Sequence, residues 1–208
     1  MSGTGSKQQT GGVDSRDGLV ALRMVLETGI VEYTDADELD DAALAAHLRS
    51  HLDDADVLPR LRGEPGQTPC PDVLDEIPAL SAGFALDLDG RRLVPPGCCS
   101  DLDVLSNWRE AAGHRSTTPS MLWIGHPWLL VAAEPDDRLS LSGPTESSRG
   151  PAEPLLTVHR TTLRRAVEAA TADHVRFVEK VTAFCAGLAG EALAVPLTQV
   201  LIADPGPA

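Results

Sequence analysis

Phe84-Ala85-Leu86-Asp87-Leu88-Asp89-Gly90-Arg91-Arg92-Leu93-Val94 sets the reading of this chain. Phe84, Leu86 and Leu88 alternate with Ala85 and Asp87, the period of a strand with one apolar face. Asp89-Gly90 supplies two residues that tolerate positive φ, as a tight hairpin turn requires. Arg91 to Val94 is the return strand, and Pro95-Pro96 stops it because proline cannot donate to a ladder. Further short strands are predicted downstream. Met121 to Ile124 pairs with Trp128 to Ala133, and Glu134-Pro135-Asp136-Asp137 turns the chain into Arg138 to Ser142. Leu155 to Val158 follows after Ser142 to Pro154, whose Gly, Pro and Ser predict a mobile loop. Closely spaced strands of this kind imply antiparallel pairing rather than βαβ units.

Outward from the strands the period lengthens. Thr161 or Thr162 opens the longest helix, with the stripe Leu163, Val167, Ala170, Val175, Val178, Val181, Phe184 and Leu188, ending near Gly187 or Gly190. That stripe faces the sheet and leaves Arg164, Arg165, Arg176 and Lys180 outside. Upstream, Asp40 is placed to cap a helix over Ala42 to Leu52 that buries Leu44, Leu48 and Leu52. Leu19, Leu22, Val25 and Leu26 recur at helical spacing and predict another helix ended by Gly29. Pro59, Gly63, Pro65, Gly66, Pro69 and Pro71 predict an irregular connection, with a short helix before Pro78. Leu197 to Ile202 reads as an edge strand. The fold class expected is α+β: an antiparallel sheet with a long C-terminal helix packed on it and N-terminal helices. Residues 1–16 read as a disordered tail, 17–190 as a single domain and 191–208 as a C-terminal extension.

The net charge is −14 and the pI about 4.7, which argues against nucleic acid or an anionic membrane as the natural surface. Met1 to Gly12 has no apolar core of a secretory signal. The longest apolar run, Met121 to Ala133, is broken by Gly125, His126 and Pro127 and falls short of the roughly 20 residues of a membrane helix. A cytoplasmic setting is expected, with Cys70, Cys98, Cys99 and Cys185 as thiols.

The most distinctive stretch is Pro95-Pro96-Gly97-Cys98-Cys99-Ser100-Asp101-Leu102, followed by Trp108 and by Leu122-Trp123-Ile124-Gly125-His126-Pro127-Trp128. Clustered tryptophans most often build a core, but an exposed edge of such a cluster is a natural binding anchor. Adjacent cysteines lack the two-to-four-residue spacing of structural zinc pairs, and His114 and His126 complete a set only through tertiary proximity. Cys98 or Cys99 with His126 and Asp101 also holds the atom types of a thiol nucleophile, although no nucleophile motif surrounds them. His47 and His51 lie one helical turn apart, but Leu48 stands where a zincin motif has Glu, so boundary histidines are the better reading. No phosphate loop, dinucleotide fingerprint or nucleophile elbow is present.

Charge is polarised along the chain. Between Glu32 and Glu76 stand 13 acids against three Arg, whereas Thr157 to Ala189 has five basic and three acidic residues. Acids in the first region either face solvent or form a docking surface for a basic partner.

The hairpin, the Cys98-Cys99 turn leading to Asp101-Leu102, the segment with Trp108, the Trp123-Ile124-Gly125-His126 strand and the long C-terminal helix together resemble the SMI1/KNR4-like (SUKH) bacterial immunity proteins over roughly residues 80–190. The chain departs from that family's usual N-terminal pattern. The resemblance implies an α+β scaffold that binds and neutralises a toxin without catalysis, and it carries over no individual binding residue. The function expected is therefore a non-catalytic protein-binding module, an immunity or regulatory factor for a basic partner protein, with no cofactor and no metal. Asp37, Glu38, Asp40, Asp41, Asp53 and Asp54 are the candidates for steering, and Trp123 and Trp128 for anchoring. The alternative is a thiol- or metal-dependent enzyme centred on Cys98, Cys99 and His126.

Overall fold

In the computed structural model, which describes residues 13–14, 18–29, 32–62, 71–146 and 153–202, the chain folds into two sheets and five helices among those residues. Chain order is β1 (Val13–Asp14), β2 (Val20–Gly29), β3 (Glu32–Asp35), α1 (Asp41–Asp54), α2 (Leu58–Arg62), a 3-10 helix at Pro71–Glu76, β4 (Ala82–Leu88), β5 (Arg91–Val94), α3 (Val104–Gly113), β6 (Ser120–Leu122), β7 (Leu129–Glu134), β8 (Arg138–Ser142), β9 (Pro154–His159), α4 (Arg160–Ala189) and α5 (Glu191–Leu201). The fold is α+β. One sheet runs β3-β2-β4-β5 and is antiparallel throughout, and the other runs β1-β9-β8-β7-β6. The single antiparallel sheet expected is thus two. In the second, β1 pairs parallel with β9, so Val13 and Asp14, expected in a disordered tail, lie opposite Leu156 and Thr157.

The hairpin is as read. Asp89 and Gly90 both have positive φ, 52° and 75°, and Leu88 pairs with Arg91 across the turn. β4 is central rather than half-exposed, however: every residue from Ala82 to Leu88 is buried. Its partner β2 is the segment expected to be a helix. Val20, Leu22, Met24 and Leu26 satisfy strand alternation as well as Leu22, Val25 and Leu26 satisfy helical spacing, and pairing from Val20↔Leu88 to Leu26↔Ala82 decides for the strand. Leu19, first in the helical stripe, is largely exposed.

α4 packs across β2, α3 and α5. Phe84 meets His174 of α4 edge-on, with ring centroids 6.4 Å apart, which fixes the buried face of β4 toward this helix. The buried positions of α4 include Leu163, Val167, Ala170, Phe177, Val181 and Cys185, while Val175 is exposed. Of the expected stripe, Leu163, Val167, Ala170 and Val181 are buried and Val178, Phe184 and Leu188 are partly buried against the core; Val175 alone misses it, because a straight helix continues from Ala170 through His174. The connection expected from residue 59 onward starts as α2, with Pro59 in its first turn, where the missing N–H costs nothing. Gly63, Pro65, Gly66 and Pro69 lie outside the described residues, as do residues 147–152 of the loop expected from Ser142 to Pro154. The edge strand expected at Leu197 to Ile202 is instead the end of α5, whose Leu193, Leu197 and Leu201 recur one helical turn apart and are buried. Leu201 O accepts a 2.8 Å hydrogen bond from Leu80 N, tying the chain beyond residue 190 to the start of β4. No helix among the described residues is long and apolar enough to cross a membrane.

Candidate functional site

The turn between β6 and β7 carries Trp123, His126 and Trp128, and neighbouring segments pin it from both sides. On one side Gly97 N donates to Ile124 O (2.9 Å), Cys98 N to His126 O (3.0 Å) and His126 N to Cys98 O (2.9 Å). On the other, Trp128 and Thr145 exchange backbone hydrogen bonds of 3.2 and 2.8 Å. This approach needs glycine at both crossing points. A Cβ on Gly97 would stand 2.6 Å from Gly125 C, and one on Gly125, at φ +98°, 2.6 Å from Gly97 O. The His126–Pro127 peptide is cis.

So held, the rings of Trp123 and Trp128 stack with centroids 6.1 Å apart at 28°, and His126 meets Trp128 edge-on at 5.6 Å. Trp123 is 36% exposed and its neighbour Met121 51%, whereas Trp108 is fully buried. One tryptophan is thus core, Trp123 is exposed, and Trp128 is half-buried, with its Nε1 buried. Asn107 Nδ2 donates to Trp123 O (3.0 Å) and fixes α3 against this edge. Between them runs a groove of about 270 Å3 lined by Asn107, Glu110, His114, Met121 and Trp123. Beside His126, Glu146 Oε1 lies 3.8 Å from Nε2. Asn107, Glu110 and Glu146 carried no motif in the sequence; Glu146 sits near the Trp pair only because Thr145 is clasped by Trp128.

On the other flank of His126 opens a cleft of about 370 Å3 that includes Glu27, Tyr33, Cys98, Cys99, Ser100 and Pro127 in its lining. Cys98 and Cys99 are exposed thiols, and Cys185 is a buried one; Cys70 lies outside the described residues. The structure therefore brings Cys98, Cys99 and His126 to one cleft, while His114 lines the groove by α3 instead. The interaction with Cys98, then the nearness of its charge, then burial push the Cys99 thiol up. Burial first, then Glu27 and Cys98, push the Tyr33 hydroxyl up. Among the described residues no three His, Cys, Asp or Glu side chains are arranged to hold a metal ion. Tyr33 and Glu27 come from the β2–β3 hairpin, which the helical reading of residues 19–29 concealed.

The acidic candidates do not converge on the aromatic pair. Asp40 Oδ1 accepts from Ala43 N at 2.7 Å as the N-cap of α1. Asp37 pairs with Arg23 (3.3 Å) and Asp41 with Lys180 of α4 (2.9 Å). Glu38, Asp53 and Asp54 are exposed, and their side chains make no ion pair among the described residues. His47 and His51 are half-buried boundary residues: His51 Nε2 lies 2.8 Å from Pro78 O, and burial, then the charge of His51, lower the His47 pKa.

In comparisons with known proteins, no family model, no curated protein and no solved structure matches the chain.

Proposed function

We propose that this protein is a non-catalytic protein-binding module that acts in the cytoplasm as an immunity or regulatory factor, neutralising a basic partner protein. The observation that carries this reading is the stacked Trp123–Trp128 pair, held by hydrogen bonds on both sides of its turn, with Trp123 exposed and bordered by exposed Met121. Rigid aromatic side chains that need not reorder on contact are the residues most enriched among binding hot spots. Glu110 and Glu146 flank the pair, and the chain as a whole carries −14, so a basic surface is the complementary one. The resemblance of residues 80–190 to SUKH immunity proteins points the same way. Of the six acids expected to steer, Glu38, Asp53 and Asp54 remain suited to it; Asp37, Asp40 and Asp41 have structural partners.

The test is affinity capture from the native cell with wild-type protein and with Trp123→Ala, Trp128→Ala and Glu110→Lys, each checked for unchanged Tm. A basic protein should bind wild type and lose about 2 kcal/mol or more of affinity with either tryptophan removed. Glu110→Lys should weaken binding chiefly at low salt. An identical set of captured proteins from wild type and both Trp variants would remove the reading.

The second reading, a thiol-dependent enzyme, is favoured by the shared cleft of Cys98, Cys99 and His126. Selective alkylation of one of these cysteines near neutral pH, with loss of a measurable turnover, would support it over the binding module.

A further inference from the structure

Cys98 and Cys99 are exposed and adjacent, and both line one cleft, which an extended chain does not arrange, because its successive side chains point to opposite faces. Cys99 has φ +59°, a left-handed conformation that non-glycine residues seldom adopt, and this breaks the alternation. Opposite them, Cys98 and His126 form a hydrogen-bonded antiparallel pair, whose side chains project from the same face of the ladder. All three line the 370 Å3 cleft, which is within the size range of small-molecule sites.

We propose that Cys98 and Cys99 form a thiol–disulfide exchange site for small disulfides. The Cys98 thiolate attacks one sulfur of RS–SR, the S–S bond breaks, and RS⁻ leaves and takes up a proton, giving a Cys98–S–SR mixed disulfide. Cys99 then gives up its proton and attacks the Cys98 sulfur, displacing the second RS⁻, which is protonated in turn. The dithiol is oxidised by two electrons to a Cys98–Cys99 disulfide, and RS–SR is reduced to two RSH. Cys98 is the residue paired with His126 across the ladder, which makes Cys99 the second, resolving sulfur. Across a trans peptide the two Cα atoms stand about 3.8 Å apart, below the about 4.4–6.8 Å of relaxed disulfides. The closed ring is therefore strained and readily reduced, as in labile rather than structural disulfides.

The wild-type chain tests this directly, because cleavage at Arg92 and Arg109 releases Leu93–Arg109 with both cysteines in one fragment. Native protein treated with cystamine at neutral pH and then alkylated should yield this fragment two hydrogens lighter and unalkylated, and dithiothreitol should restore its alkylation. Cys99→Ser should stop at a cysteamine adduct on Cys98. Cysteamine on both sulfurs, or on neither, would overturn the exchange site itself. So would a rate of ring closure unchanged in urea-unfolded protein.

Discussion

Arg160 brings a guanidinium into the protein interior at 2% exposure, and every contact it makes there is to an acceptor. Its Nε donates to Asp137 Oδ1 at 2.7 Å, and its Nη1 donates to the carbonyls of Ala112 and His114, joining the start of α4 to the end of α3. Arg160→Leu should cost about 2 kcal/mol or more, because buried carbonyls lose their donor; urea unfolding measures it. The carboxylate side gives a pH dependence. A hydrogen bond from Arg160 does most to hold the Asp137 pKa below its ordinary value; desolvation opposes it, and the charges of Arg160, Arg115 and Arg164 add to the lowering. A lowered folded pKa means the unfolded state takes up the proton first. The stabilisation is therefore complete above about pH 5 and lost as pH falls through about 4 and below. Asp137→Asn should flatten that part of the stability–pH curve. The tryptophans offer a second contrast. Trp108→Ala should cost about 3–5 kcal/mol as a large core truncation, whereas Trp123→Ala should cost about 1 kcal/mol or less as a surface change. Equal losses would mean that Trp123 belongs to the core rather than to a docking face.

At the scale of elements, α1 shows how local chemistry and proposed function compete for one residue. Asp40 was read both as a helix cap and as a steering charge, and its 2.7 Å bond to Ala43 N makes it the cap. Asp40→Ala should lower stability by about 1 kcal/mol without the salt-sensitive loss of binding expected at Asp53 and Asp54; thermal unfolding and binding at two ionic strengths separate these. Legibility differs from element to element for definite reasons. The β4–β5 hairpin, α1 and the body of α4 carry their own signals: an Asp-Gly turn, a capping carboxylate and a long 3.6-residue stripe. β2 and α5 do not. Residues 20–29 fit both periods, and the choice went to the strand because β4 is buried on both faces and needs a partner on each edge. In residues 191–201 the turn-spaced leucines outweigh Pro196, which sits in the second turn of α5.

The two sheets are joined by one continuous core, which runs from Leu22 and Phe84 through Trp108 and Val181 to Leu139 and Val158, and includes Leu197 and Leu201 of α5. Unfolding should therefore be a single transition. In a Trp123→Phe/Trp128→Phe background, the fluorescence of Trp108 and the far-ultraviolet circular dichroism should give coincident urea curves; separated midpoints would show that the sheets unfold independently. The sequence alone determined the features whose cause lies within one turn of chain: the hairpin, the cap, the long amphipathic helix, the α+β class and the strong negative charge. Tertiary structure decided which sheet each strand joins, which tryptophan is exposed, and that Cys98 meets His126 across the Gly97–Gly125 crossing. Those outcomes depend on segments far apart in the chain filling one another's space, and neither periodicity nor composition records such a fit.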